Sequence, residues 1–148
     1  MARTSESPGS QAWWDRQLDL IVKLGAYPPA LQGATELLGA PQIDMITDSF
    51  NAAARAVALV ELIEAAVAGL GDAESNPRAQ AARRWIGLSP DVRGLPLKDR
   101  RVAAARKILV QGAEGPRSIS VETWRRNYED DVRRDLAWEL SRGDSACQ

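Results

Sequence analysis

VETWRRNYEDDVRRDLAWEL, residues 121–140, interleaves arginines with acids around two tryptophans. On a helix, Arg125 neighbours Glu129, Arg126 neighbours Asp130, Glu129 faces Arg133 and Asp130 faces Arg134, each pair four residues apart. Such pairs contribute only about 0.2–0.5 kcal/mol each. The apolar positions Val121, Trp124, Tyr128, Val132, Leu136 and Leu140 step mostly by four. From Trp124 to Leu140 that spacing drifts by about 160° at 100° per residue. One straight helix cannot keep them on one face. The spacing therefore predicts a bend or a new start near Tyr128–Asp131, with Asp130 or Asp131 as the cap. Arg125 and Arg126 would then be freer to meet a partner.

The same test, applied outward, finds steps of three and four and no strand pattern. Residues 1–9 lack periodicity and read as a disordered tail. Ser10 is placed to cap a helix over 11–24, closed by Gly25. Within it Trp13 and Trp14 point about 100° apart, so at least one is expected to be partly exposed, as a contact with another chain would be. A short helix follows over 30–38. A long one is expected over about 42–70. Its stripe Ile43, Ile46, Phe50, Ala53, Val57 and Val60 faces a packing partner, and it is apolar nearly all round from Val57 on. Asp44 and Asp48 fall in its early turns, where the helix dipole favours carboxylates. Asn76-Pro77 starts a helix that ends at Gly87. Residues 89–97 form a loop or a single turn, 97–110 a helix and 111–119 a loop. Ser120 caps the helix of the opening stretch. Trp85, Trp124 and Trp138 read as core anchors. The expected architecture is all-α, a multi-helix bundle. An acidic helical region spans 10–71 and a basic region spans 76–142, with a tail over 143–148.

Composition removes several chemistries. Hydrophobic residues make up 45% of the 148-residue chain, enough for a core, and no apolar run reaches the length of about 20 residues that spans a bilayer. No secretory signal is visible in the first residues, so a cytoplasmic location and no membrane partner are expected. There is no histidine, and Cys147 is the only cysteine. The commonest general base, zinc sites of Cys/His type and internal disulfides are thereby excluded. "GAEG" at 112–115 lacks the lysine and the strand of a phosphate loop. Glu61 and Glu64, one turn apart, read as the outer edge of a buried helix rather than an acid–base pair. No catalytic residue, metal ligand or cofactor is expected.

Charge is uneven. Residues 1–77 carry 4 basic and 10 acidic side chains, and residues 78–148 carry 15 and 10. Either the second half offers a surface to an acidic partner, or the halves complement each other within one fold. The excess peaks at 78–107, with nine cations against Asp91 and Asp99. That is enough to attract phosphates. Arg100, Arg101 and Arg106 are the candidates for phosphate contact. Glu122, Thr123, Arg125, Arg126 and Asn127, at the start of the next helix, are candidates for base edges or phosphates.

The segments WIGLSPDVRGLPLKDRRVAAARKILV (85–110), ISVETWRRNYED (119–130) and LAWEL (136–140) resemble a helix-turn-helix-like module that recurs in uncharacterised actinobacterial proteins. Residues 86–88, 93–101, 103–105 and 119–129 carry the likeness, which covers about residues 85–140, under half of the chain. In the simple form two helices meet through a tight turn. Here residues 111–118 lengthen the connection. The expectation is a non-enzymatic DNA-binding or regulatory protein that meets duplex DNA through this unit. The alternative is a protein–protein interaction adaptor of a signalling or defence assembly. The acidic half would serve self-association or cover the basic half.

Overall fold

The computed structural model describes residues 7–72 and 74–143. Cys147, most of the expected N-terminal tail and all but Gly143 of the C-terminal one lie outside the described residues. The fold is mostly helical, as its periodicity requires. Ser10 caps α1 (Gln11–Leu24) by accepting the Trp13 amide at 3.2 Å. Three single turns follow: α2 (Pro28–Leu31), α3 (Thr35–Leu38) and α4 (Pro41–Asp44). Then come α5 (Ala52–Ala68) and α6 (Pro77–Ile86), which is capped by Asn76. A 3-10 turn at Pro90–Val92 leads to α7 (Leu97–Ala105). Two strands, β1 (Leu109–Gly112) and β2 (Gly115–Ser118), precede a last helical rod made of α8 (Val121–Trp124), a π-helical turn (Arg125–Glu129) and α9 (Asp130–Ser141).

Four expectations change, besides the helix over 30–38, which forms as the two separate turns α2 and α3. The long helix over 42–70 is interrupted, because the run Asp48-Ser49-Phe50-Asn51 competes with its backbone. The Asn51 carboxamide accepts the amides of Ala53 and Ala54 at 2.8 and 3.2 Å and restarts the helix as α5. Side chains of this type favour caps over helix interiors for that reason. Asp44 consequently ends α4, where it pairs with Arg55 at 2.8 Å, and Asp48 lies in the connection. Nor is α5 buried all round: Ala53, Val57, Glu61 and Ala65 are exposed. Second, the loop at 111–119 is a hairpin. Leu109 pairs with Ser118 and Gly112 with Gly115, across a two-residue turn at Ala113-Glu114. The helix expected over 97–110 stops at Ala105 to feed it.

Third, no new start occurs near Tyr128–Asp131. The rod continues through the π-helical turn, which absorbs one extra residue. Dropping one 100° step reduces the drift between Trp124 and Leu140 to about 60°. Trp124, Val132, Leu136 and Leu140 are all buried, and no side chain caps at Asp130. The expected four-residue ladder does not form either. Arg126 pairs with Glu122, and Arg133 and Arg134 reach back three residues to Asp130 and Asp131 at 3.0 and 3.1 Å. Fourth, the tryptophans redistribute. Trp13 and Trp14 are both buried, edge to face at 4.9 Å, while Trp138 is 45% exposed beneath the Arg142 guanidinium.

One apolar cluster draws on both halves of the chain, with Trp14, Leu18 and Ile21 of α1, Leu59 and Ile63 of α5, Trp85 of α6 and Leu136 of α9. Charge also crosses the halves. Arg133 of α9 meets Asp15 and Asp19 of α1 at 3.4 and 3.1 Å. Trp124 is fully buried, edge-on to Trp85 at 6.1 Å and stacked on Tyr128 at 6.0 Å. Its replacement by alanine is expected to destabilise the protein by about 3–5 kcal/mol, because a cavity remains where the ring was. Urea denaturation followed by circular dichroism measures it, and a midpoint equal to the parent's would contradict this placement.

Candidate nucleic-acid interface

The sequence-selected residues separate into two groups. Arg100 is 1% exposed, so it does not lie at the surface as a phosphate contact requires. Its Nη1 donates to the carbonyl of Trp85 at 2.6 Å, its Nη2 to that of Val22, and its Nε to that of Leu95 at 3.0 Å. Val22 and Trp85 lie in the last turns of α1 and α6, where carbonyls lack partners within their helix. A cation there also faces the negative ends of both helix dipoles. Burial pushes its pKa below the usual arginine value, Arg101 adds to that, and Tyr27 opposes it. An arginine nevertheless keeps its charge, because the delocalised guanidinium is among the most basic groups in a protein.

Arg101 is also engaged. Its Nε and Nη2 reach the two Glu129 oxygens at 2.8 and 3.1 Å, and Glu129 Oε1 also accepts the Trp124 indole N–H at 3.1 Å. The π-helical turn ends at Glu129 and so places this carboxylate on the inner side, where it is buried. Arg78, Arg83 and Arg84 meet Asp135, Glu64 and Asp91. The Ser89 hydroxyl donates to Asp91 and, with Arg84, holds that carboxyl below its ordinary pKa against a smaller effect of burial. Five of the nine cations over 78–107 are thus bound within the fold. Arg93, Lys98, Arg106 and Lys107 meet no carboxylate among the described residues.

The second group lies nearer the surface. Arg106 is exposed at the end of α7, where it lines a groove with Asp91, Leu95 and Asp99. Val110, Arg117, Ser118, Ile119, Ser120 and Thr123 line a groove of about 420 Å³ between the strands and the first turn of α8. Thr123 is held by Ser120, whose hydroxyl donates to Thr123 Oγ1 at 2.9 Å and accepts the Thr123 amide at 3.1 Å. Glu122 and Arg126 pair with each other on the exposed side of the rod. Arg125 and Asn127 are exposed, with no side-chain partner among the described residues. The structure therefore brings Thr123 together with Arg117, Ser118 and Ser120, which the sequence reading did not select. Leaving 111–119 as a loop hid the pairing that carries Arg117 to the groove.

α7 and α8, the helices expected to meet through a tight turn, are joined by the hairpin. The Ile119 amide closes its base by donating to the Ile108 carbonyl at 3.1 Å. Comparison with protein-family models, with curated proteins and with solved structures gave no match. Among the described residues no group of three or more His, Cys, Asp or Glu is placed to hold a metal ion. No described helix is long and apolar enough to cross a membrane.

The two groups should differ on mutation. Glu129→Ala would strand the Arg101 guanidinium and the Trp124 N–H, and is expected to cost about 2–3 kcal/mol. Arg106→Ala and Arg125→Ala should stay within about 0.5 kcal/mol of the parent. Equilibrium denaturation of the three variants makes the comparison. An unaffected Glu129→Ala variant would contradict the structural role given to Arg101.

Proposed function

We propose that the chain is a non-enzymatic regulatory protein that binds duplex DNA through the hairpin and the first turns of the α8–α9 rod, as a helix-turn-helix-like unit with a lengthened connection. The observation that carries this reading is the set of exposed cations with no ion-pair partner among the described residues, Arg106, Arg117 and Arg125, with Arg117 beside Thr123 at the start of a rod that also exposes Arg126 and Asn127. Cations unanswered within a fold are free to displace counterions from phosphates. Arginine, asparagine and threonine suit base edges in the major groove. The Glu122–Arg126 pair would have to open for Arg126 to reach a base. At full exposure that pair contributes little and opens easily.

A second reading, an adaptor for an acidic protein partner, is favoured by Leu109 and Val110. They are exposed on β1 beside the same cations and give the surface an apolar element that phosphates do not need. Fluorescence anisotropy with labelled duplexes across a salt series decides between the readings. DNA binding predicts affinity that falls with salt by about 0.9 in log–log slope per phosphate contact. Arg106→Ala and Arg117→Ala should each remove about one contact and weaken all duplexes alike. Arg126→Ala should instead relax preference at one base pair by about 1–3 kcal/mol. Absence of binding at micromolar protein and low salt would overturn the DNA reading and leave these cations to an acidic protein.

A further inference from the structure

The hairpin has two outer edges, and its register makes them unequal. In an antiparallel pair, residues that exchange hydrogen bonds alternate with residues that do not. The Ile119 amide donates to the Ile108 carbonyl, so that pair is bonded. Along the register, Val110–Arg117 and Gly112–Gly115 are then bonded pairs, and Leu109–Ser118 and Gln111–Pro116 are not. The backbone groups of this second set point away from the partner strand. On β2 the outer edge is closed at Pro116, which has no N–H to offer. On β1 the amides and carbonyls of Leu109 and Gln111 face outward. They have no hydrogen-bond partner among the described residues, and no third described strand covers them. Leu109 is 61% exposed.

We propose that β1 is the docking edge for an extended, acid-bearing segment of a partner protein, which joins the hairpin as a third strand beside Leu109–Gly112. The backbone decides the class of partner. An edge that alternates donors and acceptors is matched on both counts by another extended backbone, whereas phosphates supply acceptors only. Strand addition takes its affinity from such main-chain bonds and its selectivity from alternate side chains. Leu109 and Gln111 share one face, where Leu109 offers an apolar contact, and Val110 lies on the other with Arg117. A Cβ at Gly112 would meet Arg117 Cδ and Nε at 3.4 and 3.5 Å, so the Arg117 side chain crosses from β2 over the end of β1. Lys107 stands two residues before the other end. Neither cation has an ion-pair partner among the described residues. Glu114, in the turn, is the only acid between Arg106 and Ser118. Cations thus flank the edge at both ends and call for carboxylates on the incoming strand. They also disfavour a second copy, because antiparallel pairing of two β1 edges would set the Arg117 end of one against the Lys107 end of the other. The edge stands apart from the DNA reading, since neither Leu109 nor Gln111 is assigned to a phosphate or a base.

Selection on the parent protein from a phage-displayed library of random peptides tests this. Recovered peptides should carry Glu or Asp among alternating apolar positions. Gln111→Pro removes the outward amide, mirrors the Pro116 opposite and spares every bond between β1 and β2, so the thermal melt should not change. It should weaken the recovered peptides at least about tenfold, since a backbone bond is lost and a pyrrolidine ring stands in the path of the added strand. N-methylation of the peptide amides one at a time, read against the parent protein, should weaken binding at alternate positions and does not depend on the variant's folding. Lys107→Glu together with Arg117→Glu should turn the selection toward basic peptides. Failure to enrich any sequence would overturn the proposal. So would peptides indifferent to Gln111→Pro, or a methylation scan without alternation. A parent protein that sediments as a dimer, and as a single chain once Gln111 is proline, would overturn it in favour of a second copy. Duplex affinity is measured separately on the same proteins, and its absence leaves strand addition standing.

Discussion

The buried guanidinium of Arg100 joins three stretches of chain that the hydrophobic effect alone would only press together. α6 ends with four carbonyls that need donors. Arg83 is served by the amides of Leu88 and Ser89, Arg84 by that of Gly87, and Ile86 by that of Ala26 at 2.8 Å. Trp85 is served by Arg100. The same side chain reaches Val22 in α1 and Leu95 ahead of α7. Gly87 makes the approach possible. Its φ is +91°, and a Cβ there would meet the backbone of Gly25 and Ala26 at 3.1 Å. Only glycine satisfies both the backbone angle and the distance without strain. The position of α7, and through it of the hairpin and the groove beside Thr123, depends on this junction.

Arg100 and Arg101 show how much of the candidate site could be read from the sequence. Both sit in one basic run with Arg106 and Lys107, and net charge treats the four alike. Their fates differ because α7 turns Arg100 inward, and because the π-helical turn brings Glu129 to Arg101. Neither cause is visible in composition. Arg125 and Arg126 lie three and four residues after Glu122, so both are within one turn of it, and spacing alone does not say that the carboxylate pairs with Arg126. Several end signals were legible. Ser10, Asn76 and Ser120 cap where expected, and Gly25 and Gly87 close helices with positive φ. These are local interactions within four residues, so spacing reveals them.

What spacing does not reveal is which surface meets which. The stripe through Phe50 and Val57 has the period of a core-facing helix, yet the core takes the adjacent face with Leu59 and Ile63. Periodicity reports that a helix has an apolar side, and not whose atoms cover it. The interruption at Asn51 was legible in principle, because three cap-forming residues fall within Asp48–Asn51. The hairpin was less so. Its strands are four residues long and almost wholly exposed, so no alternation of apolar and polar side chains marks them. The π-helical turn left a real trace, the drift between Trp124 and Leu140. A drift fits a break and an inserted residue equally well, and only packing against Trp85 and Tyr128 decides between them.

Arg100 stands at the centre of the fold, and Arg100→Met examines that most directly. Methionine keeps an apolar stem of similar length and removes all three donated hydrogen bonds. Two buried carbonyls, those of Val22 and Trp85, then lose their donor, and each unmet group of this kind costs about 1–3 kcal/mol. The result expected from urea denaturation is a loss of at least about 3 kcal/mol. Faster hydrogen exchange at the Ala26 amide, which bonds across the same junction, should accompany it. An unchanged midpoint with unchanged protection at Ala26 would contradict the claim that this guanidinium holds α1, α6 and α7 together.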